Sequence, residues 1–305
     1  SVAVGGNANV STEAGVNLLH TGNLEVQGNY YNYGFVYQYL GDISIGGDLH
    51  LNGSMTVGDN NAQIGGKAIF SNTSVLNIGS GIFRWEDATS PYSTTLNGTI
   101  TIASGLLIAA HHSLVIGSSI NFSPGTGTIS CAGFAVNMQS LFNPESGTVR
   151  ITAHPSGAPS QIGMVQYNGF NVLKIDSSSG AELNTHIVVV NGLVDVITGR
   201  LDTNGHTLKA LSGVTVRRHG ILEVDAWGTL QLAGGQSLIV QSGGVLQCLG
   251  EAGSEAEISA ISGFIGYDIL SGAFIAAREA IFRNMNIAGV QVQSGATVDP
   301  KNCFA

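Results

Sequence analysis

The chain has 305 residues, a net charge of −9, 10% charged residues, 43 glycines and 6 prolines. Its 43% apolar content excludes a disordered chain, which is rich in charge and poor in apolar residues, and the lack of glycine at every third position excludes collagen. Eleven Lys and Arg against 20 Asp and Glu exclude the clustered basic face that nucleic acid requires, and no run approaches the roughly 18 apolar residues of a membrane span.

In chain order, the first distinctive element is Tyr31-Asn32-Tyr33-Gly34-Phe35-Val36-Tyr37-Gln38-Tyr39. Residues two apart share a strand face, so Tyr31, Tyr33, Phe35, Tyr37 and Tyr39 are predicted to form one aromatic strip. Tyrosine joins an apolar body to a polar tip, which suits stacking on sugar rings or packing on a partner. The alternative is a cover over the open end of a core. Residues 48–57 and 99–106 then read as strand, glycine corner, strand. His111-His112 lie in such a strand, where neighbours point to opposite faces. The pair is therefore not a metal chelate and is expected at the surface. Pro124, Pro144, Pro155 and Pro159 mark residues 122–163 as an irregular, loop-bearing section, because proline is excluded from interior ladder positions.

From Gly199 onward the alternation of apolar and polar residues is regular. Leu222, Leu230, Leu238 and Leu246 recur about every eight residues, with Gly220, Gly228, Gly235 and Gly244 between them as permissive corners. Ala276-Ala277-Arg278-Glu279-Ala280 fits one helical turn or a strand pair. Asn52-Gly53, Asn97-Gly98 and Asn204-Gly205 would suit hairpins, yet the eight-residue beat and the low charge favour coiling. Three such sides give a coil of roughly 22 to 25 residues. The prediction is an all-β chain forming a right-handed parallel β-helix (β-solenoid). It is a single solenoid over residues 1–305, with the irregular section at 122–163, of roughly 12 to 14 coils and about 60 Å.

Catalytic signals are sparse. No G-x-S-x-G elbow, H-E-x-x-H or phosphate-binding loop occurs. Glycoside hydrolysis needs two carboxylates about 5 to 9 Å apart, and Asp202 and Asp225 would stack if coils align, with Arg218 as a cation for lyase chemistry. A solvated ladder is the preferred reading of those acids. Cys131, Cys248 and Cys303 are too scattered for a disulfide framework or metal site. No catalytic residue, metal or cofactor is expected, and the chain is read as a non-enzyme.

Residues 170–183, Val190-Asn191-Gly192-Leu193, Thr198-Gly199-Arg200-Leu201-Asp202-Thr203-Asn204-Gly205-His206-Thr207-Leu208 and Gln293-Ser294-Gly295-Ala296-Thr297-Val298 resemble the repetitive β-solenoid regions of large secreted surface proteins of Bacteroidota and related phyla. The resemblance implies type IX export, a place in a longer chain, and roles in adhesion, surface coats or polymer capture. It carries over no catalytic residue, because the repeat is architectural. The expectation is a non-catalytic, extracellular structural or adhesive β-solenoid of a bacterial cell surface. It would self-associate end to end or laterally into filaments or a coat. The alternatives are a carbohydrate-binding module using the aromatic strip on a surface polysaccharide, and a polysaccharide lyase or hydrolase using Asp202, Asp225 and Arg218.

Overall fold

A computed structural model of the chain describes residues 2–6, 8–10, 17–20, 22–38, 40–85, 87, 93–117, 121–123, 125–136, 141–164 and 169–299. Every regular element among them is a strand, and every strand-to-strand ladder is parallel. The chain is a β-solenoid of about 12 stacked coils. It divides into two compact units, residues 1–149 and 150–305. Among the described residues no helix is long and apolar enough to cross a membrane.

The first unit has three sides. Its first side includes Val2–Val4, Leu24–Val26, Ile43–Ile45, Asn61–Ile64, Ile82–Trp85 and Leu106–Ile116. The second holds Ala8–Val10, Tyr30–Asn32, Leu49–Leu51 and Ala68–Phe70, and the third runs from Asn17–His20 through Phe35–Gln38, Ser54–Gly58, Val75–Ile78 and Thr99–Ile102. The strands are too short to hold apolar residues by length, so alternation decides which side chains turn inward. Leu24, Ile43, Ala62, Phe83, Leu107 and Ile129 lie in register, each buried over the last. Burying such a side chain contributes about 1.5–3 kcal/mol, and the stack repeats that gain coil by coil.

Corners in this unit are held by side-chain-to-backbone ladders. Asn23 Oδ1 accepts the Asp42 amide at 3.1 Å and Asp42 Oδ1 accepts the Asn61 amide at 3.0 Å. Asn29 Oδ1 and Asp48 Oδ1 do the same for Asp48 and Lys67, both at 2.8 Å. All four bonds span 19 residues, so these coils are tighter than the sequence beat suggested. They repeat Asn23-Leu24-Glu25-Val26, Asp42-Ile43-Ser44-Ile45 and Asn61-Ala62-Gln63-Ile64.

The second unit keeps three sides with longer coils. The ladder steps by 20 residues from Asp195 to Thr215, 21 from Arg200 to Ile221, 22 from Thr207 to Thr229 and 24 from Ile221 to Val245, so the step of roughly 22 to 25 residues read from the sequence holds for only some of these coils. The corner at residues 250–255 widens one coil, so that Leu246 pairs with Ile275. Leu222 and Leu246 stack on one side, Leu230 lies on another and Leu238 on the third, all fully buried. The eight-residue beat is therefore the side length of the coil. The strand Val194–Asp202 passes a corner without breaking, turning at Gly199, whose φ is 74°. Residues 276–280 resolve as the strands Phe274–Arg278 and Ala280–Phe282, joined at Glu279 with φ 45°. The strands Thr128–Val136, Thr148–Thr152 and Ser160–Met164 lie within the section read as irregular.

Candidate functional site

The aromatic segment sits inside the stack of the first unit. Tyr30–Asn32 pairs with strands on both sides, as does Phe35–Gln38, so the segment does not cover an open end. The expected single strip is divided. Tyr31 belongs to the second side, Tyr33 to the corner, and Phe35 and Tyr37 to the third side. Tyr39 lies outside the described residues. The corner arises because Asn32 turns inward, donating from Nδ2 to the Ser54 carbonyl at 2.9 Å and accepting the Gly34 amide at 3.0 Å. Gly53 of the next coil must be bare, because it lies directly over Gly34 and a β-carbon on it would meet the Gly34 nitrogen at 2.7 Å. With Asn32, Val36 and Gln38 buried, the rings at the odd positions face out. Tyr33, Phe35 and Tyr37 are 43%, 61% and 43% exposed. Tyr31 stacks on His50, ring centroids 4.5 Å apart.

Sequence reasoning missed what surrounds Phe35 and Tyr37. Register places Ser54, Val75 and Thr99 in line with Phe35, and Thr56, Asn77 and Thr101 in line with Tyr37. Asn77 Nδ2 donates to Thr56 Oγ1 at 3.4 Å. This outward face carries hydroxyls, an amide and two exposed rings, and none of these positions is charged. The available signal was the pair of motifs Ser54-Met55-Thr56 and Thr99-Ile100-Thr101, each of which puts two hydroxyls on one face.

His112 corrects an expectation. The strand Leu106–Ile116 shifts register between Ala109 and Ser113, and the bulge turns His112 inward, 2% exposed. The imidazole packs on Trp85 with centroids 5.8 Å apart, and its Nδ1 lies 3.1 Å from Thr94 Oγ1. Burial, reinforced by the nearby charges of His111 and Lys67, holds it below the ordinary histidine range of 6.5 against the opposing pull of Asp87. The fold thus disfavours the charged form, and the unfolded chain binds more protons below pH about 6.5. Stability is full above that pH and declines as pH falls toward the lowered pKa. Thermal melts between pH 7.5 and 5 should show this loss, and His112→Gln should flatten it; an unchanged slope in the variant would assign the loss to other groups.

The acids of the second unit do not meet as the sequence suggested. Asp202 is in register with Glu223, not Asp225. Its Oδ1 accepts the Asn204 amide at 2.8 Å, and Arg200 lies 3.2 Å from Asp202 and 2.9 Å from Glu223. Asp225 Oδ1 instead accepts from Thr203 Oγ1 and the Gly205 amide, both at 2.8 Å, fixing the Asn204-Gly205 corner. The cause is the local step, which is 21 residues from Gly199 over Gly220 to Asp202 over Glu223, two short of the 23 that would stack Asp225 on Asp202. Arg218 is exposed at the opposite end of the strand Gly220–Asp225 from these acids, roughly 16 Å of extended backbone away. Its neighbour Arg217 clamps the buried Asp195 through two bonds of 2.6 and 2.9 Å.

Burial raises the Asp202 carboxyl above the ordinary aspartate value; Asp225 and Glu223 add to this, while the Asn204 amide and Arg200 oppose it. A raised carboxyl is better tolerated protonated, so its ionised form lowers stability at neutral pH and the penalty vanishes as pH falls through the folded pKa. Asp202→Asn keeps the acceptor for Asn204. It should leave stability at pH 7 equal or up by about 0.5 kcal/mol, a modest gain because Arg200 is partly solvated. The difference from the parent should shrink at pH 3. Urea melts at both pH values measure it, and a large loss at pH 7 would contradict the assignment.

Cys131 and Cys248 are buried free thiols, both pushed up to about 12 by burial, which makes them packing residues in place of nucleophiles. Cys303 lies outside the described residues. Among the described residues no group of three His, Cys, Asp or Glu side chains could hold a metal ion.

No family model matches the chain, and no curated protein matches it. Among solved structures, a crystal structure of a TibC-catalysed hyper-glycosylated fragment of TibA is similar, at 12% identity and a TM-score of 0.30, covering 96% of this chain and 100% of that one.

Proposed function

We propose that the chain is a non-catalytic structural and adhesive β-solenoid, displayed outside the cell on a bacterial surface. The observation that carries the reading is the uncharged outward side around Phe35 and Tyr37, in a chain of net charge −9. Soluble surfaces seldom expose aromatic side chains together unless they contact something. A non-catalytic role is supported by the engagement of Asp202 and Asp225 in corner hydrogen bonds and by the strand length that separates both from Arg218. The extracellular setting and type IX export rest on the resemblance of residues 198–208 to bacterial surface solenoids.

Latex beads coated with the protein should attach under flow to bacterial cells or polystyrene. Phe35→Asp with Tyr37→Asp should cut attachment at least tenfold without altering the thermal melt. Beads that never attach, or a variant that attaches equally, would remove the adhesive reading. Assembly is a separate branch of the proposal. Parallel strands at the end of any stack offer unpaired backbone groups to a second copy, so negative-stain electron microscopy should show longer particles as concentration rises. Particles of one size at every concentration would discard filaments while leaving adhesion intact.

A further inference from the structure

The same outward side has a chemistry that selects among possible ligands. Across the strands its groups repeat at about 4.8 Å, and along each strand two outward residues lie about 6.6 Å apart. Tyr37, Thr56, Asn77 and Thr101 form one row of this lattice. A row in which an exposed ring is followed by hydroxyl, amide and hydroxyl presents stacking and hydrogen bonding in a fixed order. Backbone pairing on both sides holds the row rigid, so little entropy is lost on binding.

Charge narrows the ligand further. An anionic polymer would be repelled by a chain of net charge −9 and would find no Lys or Arg in the described strands of this side to pair with. A cationic polymer would be drawn to the acids elsewhere on the molecule. A protein partner would need a wide apolar centre to its interface, and here Phe35, Tyr37 and Val75 are outnumbered by hydroxyl and amide groups. What fits is a polymer that is uncharged, rich in hydroxyls, periodic, and built of flat rings with apolar faces.

We propose that this side of the solenoid binds a neutral, unbranched polysaccharide lying across the strands, with sugar rings stacked on Phe35 and Tyr37 and hydroxyls bonded along Thr56, Asn77 and Thr101. The inference rests on the adhesive reading of the same side and gives it a ligand class. Tyr33 at the corner extends the ring platform toward Tyr31 and His50. The polyuronide substrates of a lyase or hydrolase do not suit it.

Native gels cast with linear glucomannan, mixed-linkage β-glucan or amylose as neutral probes, and polygalacturonate or chitosan as charged ones, test the assignment. The protein should be retarded by at least one neutral probe, equally at 50 mM and 1 M salt, since no ion pair is screened. Phe35→Ala with Tyr37→Ala should weaken retardation at least tenfold. Thr56→Val with Thr101→Val, which keeps β-branched strand residues, should weaken it about three- to tenfold with an unchanged thermal melt. Retardation by charged probes alone, by none of the five, or equally in the variants would overturn the proposal. If coated beads attach through this side while no neutral probe binds, the adhesive reading stands and the polysaccharide fails. If a neutral probe binds through these residues while coated beads never attach, the polysaccharide stands and the adhesive reading fails.

Discussion

Replacing Gly199 by alanine is expected to destabilise the second unit by about 2–5 kcal/mol, the sum of a left-handed backbone and a steric overlap. Gly199 has φ 74°, where a β-carbon costs about 1–2 kcal/mol. That β-carbon would also fall inside the contact radius of the Ser177 carbonyl oxygen on the previous coil. Ser177 cannot easily give way, because it is fully buried and its hydroxyl bonds the Gly180 carbonyl at 2.9 Å. Gly235 supplies the control: its φ is 80°, yet no atom lies within 4 Å of its would-be β-carbon. Gly235→Ala should therefore show the backbone term alone. Amide exchange is the right measurement, since stacked coils open locally as well as globally. Gly199→Ala should speed exchange across residues 172–225, while Gly235→Ala should do so weakly. Equal effects would mean that conformation, not close approach, sets the requirement at Gly199.

The second large effect belongs to Trp85. Its indole is fully buried and packs on Phe83 at 5.9 Å, Phe70 at 6.2 Å and His112 at 5.8 Å between ring centroids. Trp85→Ala removes this centre and should cost about 3–5 kcal/mol. Trp85→Phe should cost less than about 2 kcal/mol. The Nε1 hydrogen is buried without an acceptor among the described residues, so removing it recovers about 1–3 kcal/mol of desolvation that offsets part of the lost volume. Urea melts followed by circular dichroism separate the two substitutions. A phenylalanine variant as unstable as the alanine one would show that the shape of the indole, beyond the volume it fills, holds this part of the core.

Much of the architecture was legible because short strands leave little freedom. When each side is a few residues long, period-2 alternation and corner glycines together determine which side chains turn inward. Leu222, Leu230, Leu238 and Leu246 obeyed that rule. The 19-residue step was also present, in Asn23-Leu24-Glu25-Val26 and its two successors, but three-residue strands of mixed polarity hide it from a search for apolar beats. His112 escaped because a bulge between Ala109 and Ser113 changes which residues face inward, and alternation carries no signal of a bulge. The stacking of Asp202 on Asp225 failed because the coils step by 21 residues there, two fewer than that pairing needs.

The outward rings were legible only in part. Alternation predicted that odd positions from Tyr31 to Tyr37 face alike, but the turn at Tyr33 and Gly34 depends on the inward amide of Asn32. The partners in line with Phe35 and Tyr37 come from successive coils, each 19 to 24 residues beyond the last in the ladder. Sequence neighbours cannot reveal them without the register. Trp227 was unforeseen for another reason: it takes φ 64° at a corner with its indole 70% exposed, a conformation that bulky residues rarely adopt.

The side-chain ladders at Asn23, Asp42 and Asn61 give the first unit a natural unit of length. Each of these residues holds the amide above it with the same Oδ1 atom, or is held in the same way from below. Duplicating or deleting 19 residues there would return every inward side chain to a position over another inward side chain, and the junction would look like any other coil. Duplicating or deleting a single residue would turn a whole run of leucines and isoleucines toward water. Such a gene can grow or shrink by whole coils with little consequence for folding, so that coil number becomes a heritable ruler for how far the outward side around Phe35 and Tyr37 extends.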